Sequence, residues 1–113
     1  MGQLIEIRSY TLKEGSGAEF HRLMQEQSLP MLARWKVDVV FCGPSLDSAD
    51  SYCLMRAYAS LEDRQQSQDA FYGSDEWRKG PREAILALID TYTSIALEMD
   101  EATIEGLRSL QKA

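Results

Sequence analysis

LIEIRSYTL, residues 4–12, alternates apolar and polar side chains, and the face taken by each set decides the fold. Successive side chains of a strand point to opposite sides of a sheet. Ile5, Ile7 and Ser9 therefore share one face, and Leu4, Glu6, Arg8 and Tyr10 share the other. A second run, SYCLMRAYA at residues 51–59, carries the same spacing of arginine and tyrosine: Arg56-Ala57-Tyr58 echoes Arg8-Ser9-Tyr10. Cys53, Met55, Ala57 and Ala59 are the small or apolar set of that run.

Working outward, Lys13-Glu14-Gly15 reads as a turn. Ser16, three residues before Glu19, gives the capping-box spacing that starts a helix. Phe20, Leu23, Met24, Met31 and Leu32 form its apolar stripe, and Pro30 is expected to end or kink it. WKVDVVFCG, residues 35–43, reads as a second strand, and PSLDSAD, residues 44–50, is a loop of turn formers. The short connection implies an antiparallel hairpin, with Cys42 roughly opposite Cys53 and the two on one face. Ser60 and Asp63 open a second helix with a polar body, LEDRQQSQDAFY, that Gly73 ends. Ser74 caps a further helical stretch, broken at Gly80-Pro81 and apolar at Ile85, Leu88 and Ile89. DTYTSIALEM, residues 90–99, is a fourth strand rich in Thr, Tyr and Ile. The tail can form an amphipathic helix through Ile104, Leu107 and Leu110, weakened by Gly106.

This order predicts an α+β, ferredoxin-like βαββαβ fold with an antiparallel four-stranded sheet and an extra C-terminal helix. Residues 1–99 make the domain and 100–113 a helical tail. The first and third strands are expected side by side in the middle of the sheet, running parallel, with both helices on one side. The small and apolar set (Ile5, Ile7, Ser9, Cys53, Met55, Ala57, Ala59, Ile95, Leu97, Met99) is assigned to the helices. The other face, with Glu6, Arg8, Tyr10, Leu54, Arg56, Tyr58, Tyr92, Glu98, Val37, Val39 and Phe41, is too apolar to stay bare. It is too charged for a dry core without pairing. A second copy of the sheet packed against it answers both requirements, so Arg8, Phe41, Arg56 and Tyr92 are expected at a homodimer interface.

A chain of 113 residues, 44% hydrophobic and 27% charged, is one globular domain of ordinary composition. Its net charge of −6 argues against nucleic acid or an anionic membrane as main partner. No run approaches the roughly 20 apolar residues of a membrane span. The N-terminal residues enter a strand pattern without the features of a signal or transit peptide, so the cytoplasm is the expected location. Two cysteines without Cys-x-x-Cys spacing, and one histidine, make no zinc site, and no metal or cofactor is expected. Buried free thiols are the expected state of both cysteines. No phosphate loop or dinucleotide fingerprint is present.

Several spaced motifs resemble the NIPSNAP family: IEIRSYTLKEGSGAEF at residues 5–20, Leu29-Pro30, YASLEDR at residues 58–64 and SDEWRKG at residues 74–80. The likeness spans about residues 4–99. It implies a branch of the dimeric α+β barrel superfamily, which agrees with the sheet-on-sheet dimer. That superfamily holds cofactor-independent monooxygenases, haem-degrading enzymes, dehydratases and ligand-binding proteins, and fold kinship transfers none of these activities.

Candidate binding residues are Tyr10, His21, Trp35, Tyr58 and Trp77. The tryptophans can line an apolar pocket, tyrosines can give it a polar handle, and His21 can ligate haem or act as a general base. Three functions follow. The first is binding of a small apolar or aromatic molecule between helices and sheet, which calls for a closed pocket above roughly 300 Å³. The second is a cofactor-independent monooxygenase-like enzyme, which calls for an acid or base group in that pocket. The third is an interaction module presenting the second helix through its Gln65–Gln68 surface.

Overall fold

The alternation of residues 3–12 produces the central strand of a sheet covered by helices on one side. The computed structural model describes residues 3–112. Its elements are β1 (Gln3–Leu12), α1 (Gly17–Leu23), a π turn (Met24–Ser28), α2 (Leu29–Arg34), β2 (Asp38–Pro44), β3 (Ser51–Tyr58), α3 (Leu61–Tyr72), α4 (Asp75–Arg78), α5 (Arg82–Leu88), β4 (Ile89–Met99) and α6 (Glu101–Lys112). The sheet order is β2-β3-β1-β4. β1 and β3 are the central neighbours, as expected, but they run antiparallel, with Glu6 opposite Arg56 and Arg8 opposite Leu54. The helical crossover from β1 returns β2 in the direction of β1, and the hairpin then reverses β3.

The face assignment is inverted. The aromatic and charged set lies beneath the chain's own helices, where Tyr10, Tyr52 and Leu54 pack with Phe20, Leu23, Met31, Phe71 and Trp77. Large side chains fill the gap between a sheet and its helix layer. The partner that the buried guanidinium requires is not on a second subunit: Glu6 stands directly across the β1–β3 ladder from Arg56. Arg56 is 1% exposed within its own chain. Ile5, Val40 and Ala57 occupy the other face, where α6 covers them with Ile104. Beyond α6 that face is open, and Ile95 and Leu97 are 55% and 40% exposed.

A bulge at Val40 changes the hairpin register. Val39 pairs with Arg56 and Phe41 with Met55, so Cys42 falls opposite Leu54 and Gly43 opposite Cys53. Cys42 therefore faces the helices and Cys53 the opposite side, and both are free. Phe41, paired with Met55, moves to the open face, away from the arginines.

Pro30 does not end the first helix. The Leu29 N–H donates to the Met24 carbonyl, one residue further back than in an α-helix. The wide turn leaves Pro30 in the first turn of α2, where its missing N–H is tolerated. Ser16 makes no capping bond. Asp50, from the hairpin loop, accepts instead from the Gly15 N–H (3.0 Å) and the Gly17 N–H (3.1 Å). A Cβ at Gly17 would lie 1.8 Å from the Ala49 carbonyl oxygen, so only glycine admits this loop. Ser60 and Ser74 cap α3 and α4 as expected. α6 is tied to β2 by an Arg108–Asp38 ion pair and by a bond from the Cys42 N–H to Gln111 Oε1 (3.0 Å). Among the described residues no helix is long and apolar enough to cross a membrane.

Candidate functional site

The alternation that buries Glu6 brings Arg8 and Tyr10 to the helix-side face with it. Glu6 is 0% exposed. Its Oε1 accepts from Arg56 Nε (3.0 Å) and Nη2 (2.6 Å). Its Oε2 accepts from Gln68 Nε2 (2.8 Å) and pairs with Arg64 Nε (2.9 Å). α3 thus closes over the sheet with Arg64, Gln68 and Tyr72. Burial alone raises the Glu6 pKa, but Arg56, Gln68 and Arg8 more than reverse this and hold the carboxyl below its ordinary value. Burial likewise opposes the charge on Arg56, and the Tyr72 and Tyr58 hydroxyls with Glu6 hold its pKa above the ordinary value.

Tyr72 joins this polar cluster to an aromatic one. Its hydroxyl accepts from Arg56 Nη1 at 2.9 Å and lies 3.4 Å from Arg8 Nη1. Its ring packs edge-on against Phe71 and Trp77, with centroids 5.0 and 5.4 Å away. Behind it lies a void of about 30 Å³ lined by residues including Tyr10, Phe20, Ser28, Phe71, Tyr72 and Trp77. The Ser28 hydroxyl is buried there with no hydrogen-bond partner among the described protein groups. In front of Tyr72 is an open groove of about 700 Å³, lined also by Gly73, Asp75, Arg78, Lys79, Arg82 and Glu83. Burial pushes the Tyr10 phenol up to about 12.

Of the expected binding residues, the structure brings Tyr10 and Trp77 together at the void. Tyr58 lies at the polar cluster, accepting from Gln68 Nε2 at 3.3 Å. His21 is elsewhere on the helix layer: its Nδ1 is 2.7 Å from the Tyr52 hydroxyl, to which Cys42 Sγ donates at 3.4 Å. Burial pushes the Cys42 thiol up to about 11, an inert state. Trp35 is a surface pin, donating from Nε1 to Glu76 Oε1 at 2.7 Å.

Arg8 and Arg56 belong to this interior and not to an interface on the outer sheet face. Tyr92 shares their side of the sheet, exposed on edge strand β4 beneath the Arg8 guanidinium (4.9 Å to its ring centre). Among the described residues, the void between helices and sheet is not the expected pocket of ligand size, since its 30 Å³ has room for about one water. Gln68 points inward, while Gln65 and Gln66 bond Asp69 and Glu62 along α3. Glu6, Ser28 and Tyr72 are the site residues that sequence reasoning missed. Ser28 had a signal: a serine just before Leu29-Pro30 sits where the proline disturbs helical bonding, and π turns recur at functional sites.

The NIPSNAP family model matches residues 5–97. Among solved structures, a NIPSNAP family protein from Agrobacterium tumefaciens is 18% identical, with a TM-score of 0.81 over 91% of this chain and 90% of its own. An uncharacterized NIPSNAP domain protein from Burkholderia xenovorans is 21% identical, with a TM-score of 0.73 over 83% and 91%. A candidate antibiotic biosynthesis monooxygenase from Bordetella bronchiseptica is similar in fold, with a TM-score of 0.62, 18% identity and coverage of 88% and 98%. Among curated proteins no sequence relative matches. Fold, strand order and a family match across nearly the whole chain agree: the protein belongs to the NIPSNAP family.

Proposed function

We propose that this NIPSNAP protein binds a small apolar or aromatic molecule in the layer between helices and sheet, entering past Tyr72. The observation that supports the reading is the Ser28 hydroxyl, buried with no protein partner, in a void walled by aromatic rings. A buried hydroxyl without a partner costs about 1–3 kcal/mol, and a bound polar atom relieves that cost. The void is far below ligand size, so binding requires the Tyr72 ring to swing toward the groove it already borders. The protein is further proposed to work as a homodimer, joined through the open sheet face of Ile7, Met55, Ile95 and Leu97, with Phe41 beside them.

A monooxygenase-like reading draws no support from the void, whose lining contains no histidine and no carboxylate. His21 is engaged with Tyr52 away from it.

The experiment is a titration with phenol in a Trp35→Phe background, where Trp77 is the remaining indole. Saturable change in Trp77 emission is expected, weakened about three- to tenfold by Ser28→Ala through the lost hydrogen bond. A Trp77 signal unmoved by phenol would overturn the reading.

A further inference from the structure

We propose that Arg8 is the anchor for a carboxylate on the bound molecule, which makes the ligand class an aromatic or acyl carboxylate. This rests on the reading of the helix–sheet layer as a small-molecule site.

Three guanidinium groups, on Arg8, Arg56 and Arg64, share the Glu6 carboxylate. They do not share it equally. Arg56 holds Oε1 by two bonds, and Arg64 with Gln68 occupies Oε2. Arg8 is left with a 3.6 Å approach of Nη2 to Oε2 and a long 3.4 Å contact of Nη1 to the Tyr72 hydroxyl. Its Nε is buried with no partner among the described protein groups, and the side chain is only 12% exposed. A guanidinium so far out of water ordinarily has an anion in its fork. Among the described residues, Glu6 is the one carboxylate within ion-pair reach of it.

The surroundings define what would complete it. The Arg8 guanidinium lies over the Tyr92 ring at 4.9 Å and 6.0 Å from the Tyr72 ring centre. Tyr92 is exposed on the edge strand, which leaves a way in from the β4 side. Tyr72 also borders the groove that carries Arg78, Lys79 and Arg82. A planar carboxylate fits the planar fork with parallel charge-assisted bonds, and its apolar body has the aromatic layer beside Tyr10 to enter once the Tyr72 ring swings toward the groove. Cluster charge also favours an anion, since three positive groups face one negative.

Calorimetric titration with sodium benzoate and with benzyl alcohol, at constant ionic strength, tests this on wild type, Arg8→Gln and Arg8→Lys. Glu6 keeps Arg56, Arg64 and Gln68 in both variants, so the fold is retained, as near-ultraviolet circular dichroism will show. Benzoate should bind wild type at least tenfold tighter than benzyl alcohol. Arg8→Gln should remove that preference and leave benzyl alcohol unchanged, and Arg8→Lys should restore part of it through charge without the fork. Equal binding of both probes, unaffected by Arg8→Gln, would overturn the anchor while leaving the small-molecule site standing. Binding of neither probe would overturn both.

Discussion

Glu6 is the charge around which the helix-side layer is organised, because four donors from two strands and α3 converge on its two oxygens. Removing that charge leaves Arg56 buried without its counterion, a loss that ordinarily costs about 3–5 kcal/mol. Glu6→Gln should therefore lower unfolding free energy in urea by that order at pH 7. The sign of the pH effect follows from the depressed carboxyl. A folded-state pKa below the unfolded value contributes stability that is present above about pH 4.3 and lost as pH falls through the folded value. The gap between wild type and Glu6→Gln should narrow over that acid range, and a gap that stays constant would show that Glu6 does not titrate with folding. This residue also marks what the sequence concealed. Glu6 and Arg56 lie in different strands, and only the β1–β3 register reveals that each is the other's partner. Without that register, two arginines on an aromatic face pointed outward to a second subunit.

At the scale of elements, most boundaries were legible and their terminations less so. Ser60 and Ser74 announce the starts of α3 and α4, and Gly80-Pro81 separates α4 from α5, because caps and breakers act through neighbours in sequence. The cap of α1 was hidden, since it comes from Asp50 in a distant loop. The Val40 bulge was hidden too, and it sends Cys42 and Cys53 to opposite faces. A local feature that the sequence did not announce closes α2. Lys36 has φ +58°, in the left-handed region. The Lys36 N–H bonds the Ala33 carbonyl and the Val37 N–H bonds the Leu32 carbonyl, the paired bonds of a Schellman ending. Glycine occupies this position without the steric cost borne by a lysine. Lys36→Gly should stabilise the protein by about 1 kcal/mol, read as an upward shift of the denaturation midpoint. An unchanged or lowered midpoint would mean that the lysine side chain contributes more than its backbone costs.

For the molecule as a whole, the element order predicted the ferredoxin-like architecture and the pairing of β1 with β3 at the centre. It pointed the helices to the wrong sheet face, because both faces are rich in apolar groups. The candidate site was half legible: Tyr10 and Trp77 were chosen as aromatics, whereas Tyr72 joins them only when α3 folds across the sheet. The inverted faces move the proposed subunit contact to Ile7, Met55, Ile95 and Leu97, and leave Arg8 and Arg56 as interior groups of each subunit. Native mass spectrometry of wild type and Ile95→Glu tests this most directly. Wild type should be a dimer at low micromolar concentration, and Ile95→Glu a monomer with unchanged near-ultraviolet circular dichroism. A monomeric wild type, or a dimer that survives Ile95→Glu and dissociates on Tyr92→Glu, would contradict the account.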